Sequence, residues 1–252
     1  MENRKIRYYE QLDSTNTKIS ELALEGAEHG TVVVADCQTA GKGRRGRVWE
    51  SSAGDNIYMS VLLRPSFETD KAPMLTLVMA YSVAQVLRKR GFEDVQIKWP
   101  NDLVISGKKL CGILTEMHLR GSEIDHVVVG VGVNVNTSAF SEELVDKATS
   151  LFLECGKLMK KEQLIANILE TFMEMYERFA KAGDLKFLQE DYNAILVNKN
   201  REVCILETGN EYMAYAIGIN EKGELLVRLE DGTIKQVYAG EVSVRGVYGY
   251  IR

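Results

Sequence analysis

The sequence KLCGILTEMHLRGSEIDHVVVGVGVN, residues 109–134, contains two apolar runs on either side of a polar segment. These runs predict two strands, over residues 109–117 and 126–134. Gly112 interrupts the first strand, and a glycine inside a strand marks a bulge or a close approach of the backbone to a ligand. Asn134 is unfavourable in a strand, so we expect it to have a polar partner. A binding role and a buried structural hydrogen bond explain it equally well.

Further strands and helices are predicted on both sides of this segment. β-Branched and apolar runs predict strands over residues 31–37, 56–63 and 95–98. Apolar residues three or four apart predict helices over residues 16–25, 74–90, 162–182 and 184–197. Asp13, Ser14 and Thr15 precede the first helix, and their small polar side chains are suited to cap its free amides. The sequence therefore predicts an α+β fold.

The character of the chain changes after Asn198. Short strands are predicted over residues 203–206, 212–219, 224–228, 233–238 and 242–247, separated by glycine-containing turns. Five strands in about fifty residues are typical of a small SH3-like β-barrel. We expect two domains, one over residues 1–198 and an SH3-like one over residues 199–252.

The overall charge argues against a dedicated nucleic-acid-binding protein. The 252 residues include 31 Lys and Arg against 36 Asp and Glu, a net charge of −5, whereas nucleic-acid-binding domains usually carry a basic excess. Cys37, Cys111, Cys155 and Cys204 are widely spaced, and the N-terminus lacks the apolar core of a signal peptide. We therefore expect free thiols and a cytoplasmic protein, with no long apolar run to enter a membrane.

The histidines and serines do not indicate two common kinds of catalytic site. The three histidines lack close ligand spacing, so a zinc site is not expected. No G-x-S-x-G is present, so the serine-hydrolase elbow is absent as well.

The basic charges concentrate in GKGRRGR, residues 41–47. The segment matches G-x-G-x-x-G, but a strand follows it instead of the helix that a dinucleotide site requires, and the lysine and hydroxyl of a P-loop are missing. Its glycines expose backbone amides, and Lys42, Arg44, Arg45 and Arg47 can surround a polyanion. A solvated basic loop or a nuclear-localisation patch would have the same composition. Gln38 and Trp49 nearby favour a bound organic ligand.

A second group of polar residues is KWPND, residues 98–102, followed by Lys109. Asn101 and Asp102 offer oxygen ligands of the kind that Mg²⁺ takes beside nucleotide phosphates. A turn in which both side chains bond to their own backbone is the alternative.

Taken in order, six segments resemble the motif set of the biotin protein ligases: DSTN (13–16), QTAGKGRRGR (38–47), KWPND (98–102), KLCGIL (109–114), GVGVN (130–134) and GEVSVR (240–245). The resemblance covers nearly the whole chain. It implies a class II synthetase-like mixed sheet with flanking helices and a C-terminal SH3-like barrel. It also implies an ATP-dependent enzyme that activates biotin as biotinyl-5′-AMP and transfers it to a lysine of a biotin carboxyl carrier domain, as in acetyl-CoA carboxylase.

The resemblance assigns roles to individual residues. The positions that correspond to biotin-binding residues are Ser14, Thr15, Asn16, Gln38, Gly41, Lys42, Gly43, Arg44, Lys109, Gly112 and Gly132. Those that correspond to ATP- or adenylate-binding residues are Arg44, Arg45, Trp49, Lys98, Asn101 and Asn134. Arg44 and Lys109 would offset charge during catalysis, and Asp102 would orient or deprotonate the acceptor lysine. Asn101 and Asp102 would hold Mg²⁺.

Two departures from the family pattern stand out. Lys42 occupies a position where some members have arginine, which keeps the charge but loses bidentate geometry. Only about a dozen residues precede DSTN, so we expect no N-terminal helix-turn-helix and no nucleic-acid partner.

Two other functions and one assembly question stay open. A lipoate or octanoate ligase or transferase of related fold is one alternative, and a non-enzymatic biotin-sensing regulator is the other. A homodimer formed through a sheet edge is compatible with the resemblance.

Overall fold

The computed structural model describes residues 6–50, 54–207, 209–239 and 243–246. Its main feature is a seven-stranded sheet in the order β1-β2-β3-β7-β6-β5-β4. The strands are β1 (Ile6–Leu12), β2 (Val32–Gln38), β3 (Ile57–Leu63), β4 (Gln96–Lys98), β5 (Asp102–Ile105), β6 (Lys108–Arg120) and β7 (Glu123–Val133). β1 and β2 are parallel and the other neighbours are antiparallel, so the sheet is mixed.

Helices cover both faces of this sheet. They are α1 (Thr15–Leu24), α2 (Met74–Lys89), α3 (Leu151–Cys155), α4 (Lys161–Ala182) and α5 (Lys186–Ala194). Successive residues of a strand point to opposite faces, which is why Val33, Leu62 and Val128 pack against α1 while their neighbours pack on the other side. There α2 lies between the sheet and α4, and it is accordingly apolar on most of its surface.

A second, antiparallel sheet follows the helices, in the order β11-β10-β9-β8-β12. Its strands are β8 (Arg201–Glu207), β9 (Asn210–Ile219), β10 (Leu225–Arg228), β11 (Ile234–Val237) and β12 (Ser243–Gly246). Of the segment GEVSVR, residues 240–242 lie outside the described residues. The mixed sheet with flanking helices and the small all-β unit of SH3-like character confirm the predicted fold class.

β6 and β7 extend three residues further toward their connecting turn than predicted, and three other elements differ more. β1 was not predicted, because its half-buried residues recur every third position instead of alternating. β5 was not predicted either, since its four residues begin inside KWPND. The predicted helix over residues 184–197 is wrong at both ends: α5 covers Lys186–Ala194. After the helix, Ile97 N donates to Ile195 O and Val197 N donates to Ile97 O, so Leu196 forms a single parallel bridge with Ile97 of β4.

None of the helices in the described part of the chain is long and apolar enough to cross a membrane.

Candidate functional site

The chain turns from β1 into α1 at the edge of a pocket that Ser14, Thr15 and Asn16 help to line. Ser14 is the N-cap residue and has the extended backbone of one, but its side chain makes no capping hydrogen bond. The expected side-chain cap is therefore wrong for Ser14. Instead, Gln38 at the end of β2 accepts the Thr15 N–H through Oε1 at 2.8 Å. The parallel pairing of β1 and β2 brings these two strand ends together.

Asn16, the second residue of α1, is almost completely buried. Its Oδ1 accepts a hydrogen bond from Ser60 Oγ at 2.6 Å, and its Nδ2 donates to Glu116 Oε2 at 2.6 Å. A Cβ atom on Gly130 would lie 2.1 Å from Asn16 Oδ1, so only glycine leaves room for this side chain. Thr15 and Asn16 thus form the neutral, hydrogen-bonded end of the pocket.

The basic segment forms a hairpin over the pocket. Lys42 and Val48 form a single antiparallel bridge, and Trp49 N donates to Gly41 O at 2.9 Å. Arg45 has a φ of 58° at the tip, a left-handed conformation that tightens the turn. The hairpin therefore carries Lys42 and Arg44 to the pocket without the helix of a dinucleotide site.

Arg44 connects this hairpin to two other segments. Its Nη1 donates to Asn101 Oδ1 at 3.1 Å, and its Nη2 donates to the carbonyl oxygen of Ala239, next to the second sheet. Burial lowers the pKa of the Arg44 guanidinium, and nearby Asp102 opposes that shift. Arginine keeps its charge in proteins nonetheless, so a partly buried cation faces the pocket.

Lys109 provides the second cation. Its Nζ lies 2.7 Å from Asp102 Oδ1 and 5.2 Å from the centroid of the Trp49 ring. Asn101 Nδ2 also donates to Asp102 Oδ1, at 3.1 Å. Asp102 thus holds Lys109 at the pocket wall. The KWPND turn supplies both the Asp102 carboxylate and the Asn101 amide.

Trp49 lies flat over two glycines of the sheet. A Cβ atom on Gly112 would lie 2.7 Å from Trp49 Cζ3, and one on Gly132 would lie 2.7 Å from Trp49 Cε2. Gly112 and Gly132 are directly opposite each other on β6 and β7. The close approach expected at Gly112 is therefore to the Trp49 side chain.

The structure brings most of the residues singled out from the sequence into this one pocket. Its lining comprises Ser14, Thr15, Asn16, Gln38, Lys42, Gly43, Arg44, Trp49, Asn101, Lys109, Gly112, Ile113, Leu114, Gly130, Val131 and Gly132. Asp102 joins it through Lys109. The sequence had not assigned Gly130, nor Ser60 and Glu116 behind it. β7 contains the sequence GVGV, and the close spacing of its two glycines was the available signal for Gly130.

Four other predicted residues lie outside this lining. Arg45 borders a neighbouring groove beside the start of α2. Gly41 contributes its carbonyl to the hairpin, and Lys98 is buried at the end of β4. Asn134 donates through Nδ2 to Thr149 O at 3.1 Å, the buried structural hydrogen bond that the sequence left open as an alternative.

The contacts of Asn101 and Asp102 bear on the predicted Mg²⁺ site. Asn101 Oδ1 faces the Arg44 guanidinium, and Asp102 Oδ1 faces the Lys109 ammonium. Among the described residues, no group of three or more His, Cys, Asp or Glu is placed to hold a metal. These oxygens therefore do not form an open ligand set for a protein-bound Mg²⁺.

The fold and the pocket define a mixed-sheet enzyme with a cation-lined site for a small organic ligand. The sequence profile of the Biotin/lipoate A/B protein ligase family matches residues 8–134, and that of the Biotin protein ligase C terminal domain matches residues 200–245. The chain therefore belongs to the biotin/lipoate protein ligase family, with the C-terminal domain of the biotin protein ligases.

Individual relatives agree with this assignment. The chain is 38% identical over 241 residues to the bifunctional ligase/repressor BirA of Bacillus subtilis, covering 94% of this chain and 73% of that protein. It is 32% identical over 247 residues to a biotin–[acetyl-CoA-carboxylase] ligase of Mycobacterium tuberculosis, covering 95% and 88%. Among solved structures, the biotin protein ligase from Aquifex aeolicus in complex with biotin and ATP superposes with a TM-score of 0.85 at 31% identity, over 96% of this chain and 99% of that one.

Proposed function

We propose that this protein is an ATP-dependent biotin ligase that forms biotinyl-5′-AMP and transfers the biotinyl group to a lysine of a biotin carboxyl carrier domain. One observation carries the proposal. Five separate segments of the chain, carrying Thr15, Arg44, Asn101, Lys109 and Gly132, meet in one pocket. The pocket has a neutral hydrogen-bonding end and a cationic end, which suits a ligand with a polar ring at one end and a carboxylate or phosphate at the other.

The residues divide between the two ends. At the neutral end, Ser14, Thr15, Asn16 and Gln38 would hold the biotin ring, with Gly41 and Gly43 shaping the hairpin. At the cationic end, Lys42, Arg44 and Lys109 would hold the biotin carboxylate and the α-phosphate. Trp49, over Gly112 and Gly132, would bound the adenylate. The residues proposed to bind ATP are Arg45, Lys98, Asn101 and Asn134. Lys98 and Asn134 are buried, and we propose that they act indirectly, by supporting the backbone around the site.

The first step joins biotin to AMP. A carboxylate oxygen of biotin forms a bond to the α-phosphorus of ATP, and the bond from that phosphorus to the bridging oxygen breaks, so pyrophosphate leaves. Negative charge builds up on the α-phosphate oxygens, and the fixed cations Arg44 and Lys109 offset it. Asp102 holds Lys109 in place for this step.

The second step transfers biotin to the carrier. The neutral amine of the acceptor lysine attacks the acyl carbon, AMP leaves with the electron pair, and the amine loses a proton. A free lysine has a pKa of about 10.4, so the amine must first be deprotonated. Asp102 is proposed to orient this amine. Its contact with Lys109 supports an orienting role more than a role as a base.

Mg²⁺ is proposed as part of the ATP substrate. When bound with ATP it neutralises phosphate charge. Ligation by Asn101 or Asp102 would require their contacts with Arg44 and Lys109 to open, and we derive no step through such ligation.

The wider setting of the enzyme follows from the same proposal. We propose a catalytic domain over residues 1–198 and an SH3-like domain over 199–252, supported by the start of β8 at Arg201. A cytoplasmic location is supported by four free cysteines. The partner is the carrier domain of acetyl-CoA carboxylase or a related carboxylase. A homodimer is supported only by strands β1 and β4 at the edges of the main sheet.

The direct test is to incubate the protein with ATP, Mg²⁺, biotin and a biotin carboxyl carrier domain, and to measure the intact mass of the carrier. We expect the carrier to gain one biotinyl group, and a carrier whose acceptor lysine is replaced by arginine to gain none. Lipoate and octanoate in place of biotin distinguish the related ligases. Modification by lipoate and not by biotin would overturn the proposal, as would tight biotin binding without any transfer.

A further inference from the structure

Two residues behind the neutral end of the pocket belong to none of the segments that pointed to function. Ser60, in the middle of β3, is completely buried. Glu116, on β6, is half-buried. Both contact the pocket residues Thr15 and Asn16: Ser60 Oγ lies 2.8 Å from Thr15 Oγ1 and 2.6 Å from Asn16 Oδ1, and Glu116 Oε2 lies 2.6 Å from Asn16 Nδ2.

Glu116 determines which way the Asn16 amide faces. A carboxylate only accepts hydrogen bonds, so the amide nitrogen must face it. The carbonyl oxygen of Leu114, 3.4 Å from the same nitrogen, requires the same orientation. The amide oxygen of Asn16 is thereby turned toward Ser60.

The direction of the next two hydrogen bonds follows. Each hydroxyl has one hydrogen, and Asn16 Oδ1 can only accept, so Ser60 donates its hydrogen to Asn16. Ser60 is then an acceptor for Thr15. On its other side, Thr15 Oγ1 lies 3.2 Å from Gln38 Oε1, which the Thr15 backbone N–H keeps in place. Both neighbours of the Thr15 hydroxyl therefore accept, and its hydrogen is used inside the protein.

We propose that Glu116 and Ser60 are positioning residues that fix the Thr15 hydroxyl as a hydrogen-bond acceptor toward the ligand, so that this end of the pocket selects a ligand N–H. This inference rests on the proposed function, since in biotin the N–H groups occur only in the ureido ring. Lipoate and octanoate have no N–H, and either ligand would cover the Thr15 lone pair without a partner. Leaving a buried polar group unpaired is a strong basis for rejecting such analogues.

The chain of hydrogen bonds from Glu116 through Asn16 and Ser60 to Thr15, called the relay below, leads to a prediction opposite to the one expected from charge alone. Glu116 is an anion near the site of an anionic ligand, so removing its charge should by itself tighten biotin binding. In the relay, replacing Glu116 with Met removes the 2.6 Å contact and leaves only the long 3.4 Å contact with Leu114 O to orient the Asn16 amide, so the direction of the Ser60 and Thr15 hydroxyls is no longer firmly fixed. The relay therefore predicts weaker binding, by about tenfold for one lost hydrogen bond in a buried site.

The experiment measures biotin affinity by calorimetry for the full chain and for Glu116→Met, Glu116→Gln and Ser60→Ala. The control is Glu123→Gln, at an exposed position on β7. We expect Glu116→Met and Ser60→Ala to bind biotin about tenfold more weakly, with the KM for ATP unchanged. Glu116→Gln keeps an oxygen that can accept from Asn16, so it should recover most of the affinity. A role through charge alone predicts that Met and Gln behave alike.

A second ligand tests directly whether the Thr15 hydroxyl accepts a hydrogen bond from the ligand. In a cyclic carbamate analogue of biotin, one ureido N–H is replaced by oxygen, and we use both regioisomers. The unaltered protein should prefer biotin over one regioisomer by about tenfold, and Glu116→Met and Ser60→Ala should lose that preference. If both variants retained the preference for biotin, the relay would be overturned. The same holds if both variants bound biotin at least as tightly as the unaltered protein does.

Two different variants are used so that the experiment still gives an answer if one of them fails to fold. Ser60→Ala removes one oxygen and Glu116→Met one carboxylate, so a folded variant of either kind, judged by its KM for ATP, decides the question. If the unaltered protein fails to bind biotin, the proposed function fails. If it binds biotin and modifies the carrier while both variants keep their affinity and preference, only the relay fails.

Discussion

The two ends of the pocket are built on different principles. At the neutral end, Thr15 and Asn16 bond to uncharged groups and to the half-buried carboxylate of Glu116, and these bonds need not break when a ligand enters. At the cationic end, Arg44 and Lys109 are already bonded to Asn101, Ala239 and Asp102. A bound phosphate must compete with those partners. Under the proposed function we therefore expect selectivity to depend on the neutral end and the rate of chemistry to depend on the cationic end.

The largest effect should come from Lys109→Ala, at the cationic end. In the proposed mechanism its ammonium offsets charge on the α-phosphate, and its loss also leaves Asp102 without this cation. We expect biotin-dependent pyrophosphate release to slow by about 100- to 1000-fold, the usual cost of losing one fixed donor to a developing anion. Biotin affinity should fall much less.

Lys108→Ala is the matched control for this experiment. Lys108 is the preceding residue on β6, and its Nζ donates to Val145 O at the surface. A normal rate of pyrophosphate release in Lys109→Ala, or an equal loss in both variants, would remove Lys109 from the cationic end.

Arg44→Ala should have the next largest effect, on retention of the intermediate. Without this cation the hairpin loses its bonds to Asn101 and to Ala239 O, and the adenylate loses a charged partner. We expect the half-life of enzyme-bound biotinyl-adenylate to fall about tenfold, as for loss of one charge-assisted hydrogen bond. Release of adenylate into solution, followed by chromatography, measures this.

Arg201→Ala, at an exposed position at the start of β8, is the control for Arg44. An unchanged adenylate half-life together with unchanged biotin affinity in Arg44→Ala would contradict the role given to Arg44.

Two glycines on one strand allow the two ends to be separated. A methyl group on Gly130 would meet Asn16 Oδ1, whereas one on Gly132 would meet Trp49. We expect Gly130→Ala to raise the KM for biotin several-fold with little change for ATP, and Gly132→Ala to raise the KM for ATP more than that for biotin. Each should also cost about 1–3 kcal/mol of stability through overpacking. Equal effects of both variants on both KM values would show that the ends are not separate.

The smallest effect concerns the junction with the second sheet. Trp99 Nε1 donates to Gly223 O at 3.0 Å, and both groups are buried. Trp99→Phe removes the donor and leaves that carbonyl unpaired, so we expect the free energy of unfolding to fall by about 1–3 kcal/mol. Urea denaturation measures it. Because Trp99 is outside the pocket lining, the KM for biotin should change little, and a large rise would connect this junction to the neutral end.

The fold could be predicted from the sequence wherever the burial pattern was regular. The valine-rich run in β7 and the apolar stripe of α4 each show one period along their whole length. β1 and β5 could not be predicted, because one is an edge strand with irregular burial and the other is four residues long. The end of α5 depends on a tertiary contact: Ile97 bonds to the backbone on both sides of Leu196, and local propensity does not contain that information.

The site could be predicted only where chemistry and a motif coincide. Arg44, Lys109 and Gln38 are polar residues in segments that resemble a known family. Ser60 lies in an apolar strand, and Glu116 lies where β6 passes from buried to exposed residues, so neither stands out in the sequence. Their importance arises from distances of 2.6 Å to Asn16, which depend on how β3, β6 and α1 are packed.

The bonds of Arg44 to Ala239 O and of Trp99 to Gly223 O have a consequence for how the chain can diverge. Both acceptors are backbone carbonyls, which every amino acid supplies. Substitution of Ala239 leaves its carbonyl in place, whereas an insertion or deletion in the turn before β10, or after β11, would move the acceptor away. These two hydrogen bonds thus constrain the length of the turns and not their side chains, and the restriction to glycine at Gly223 comes instead from Leu77, 2.9 Å from where a Cβ would lie.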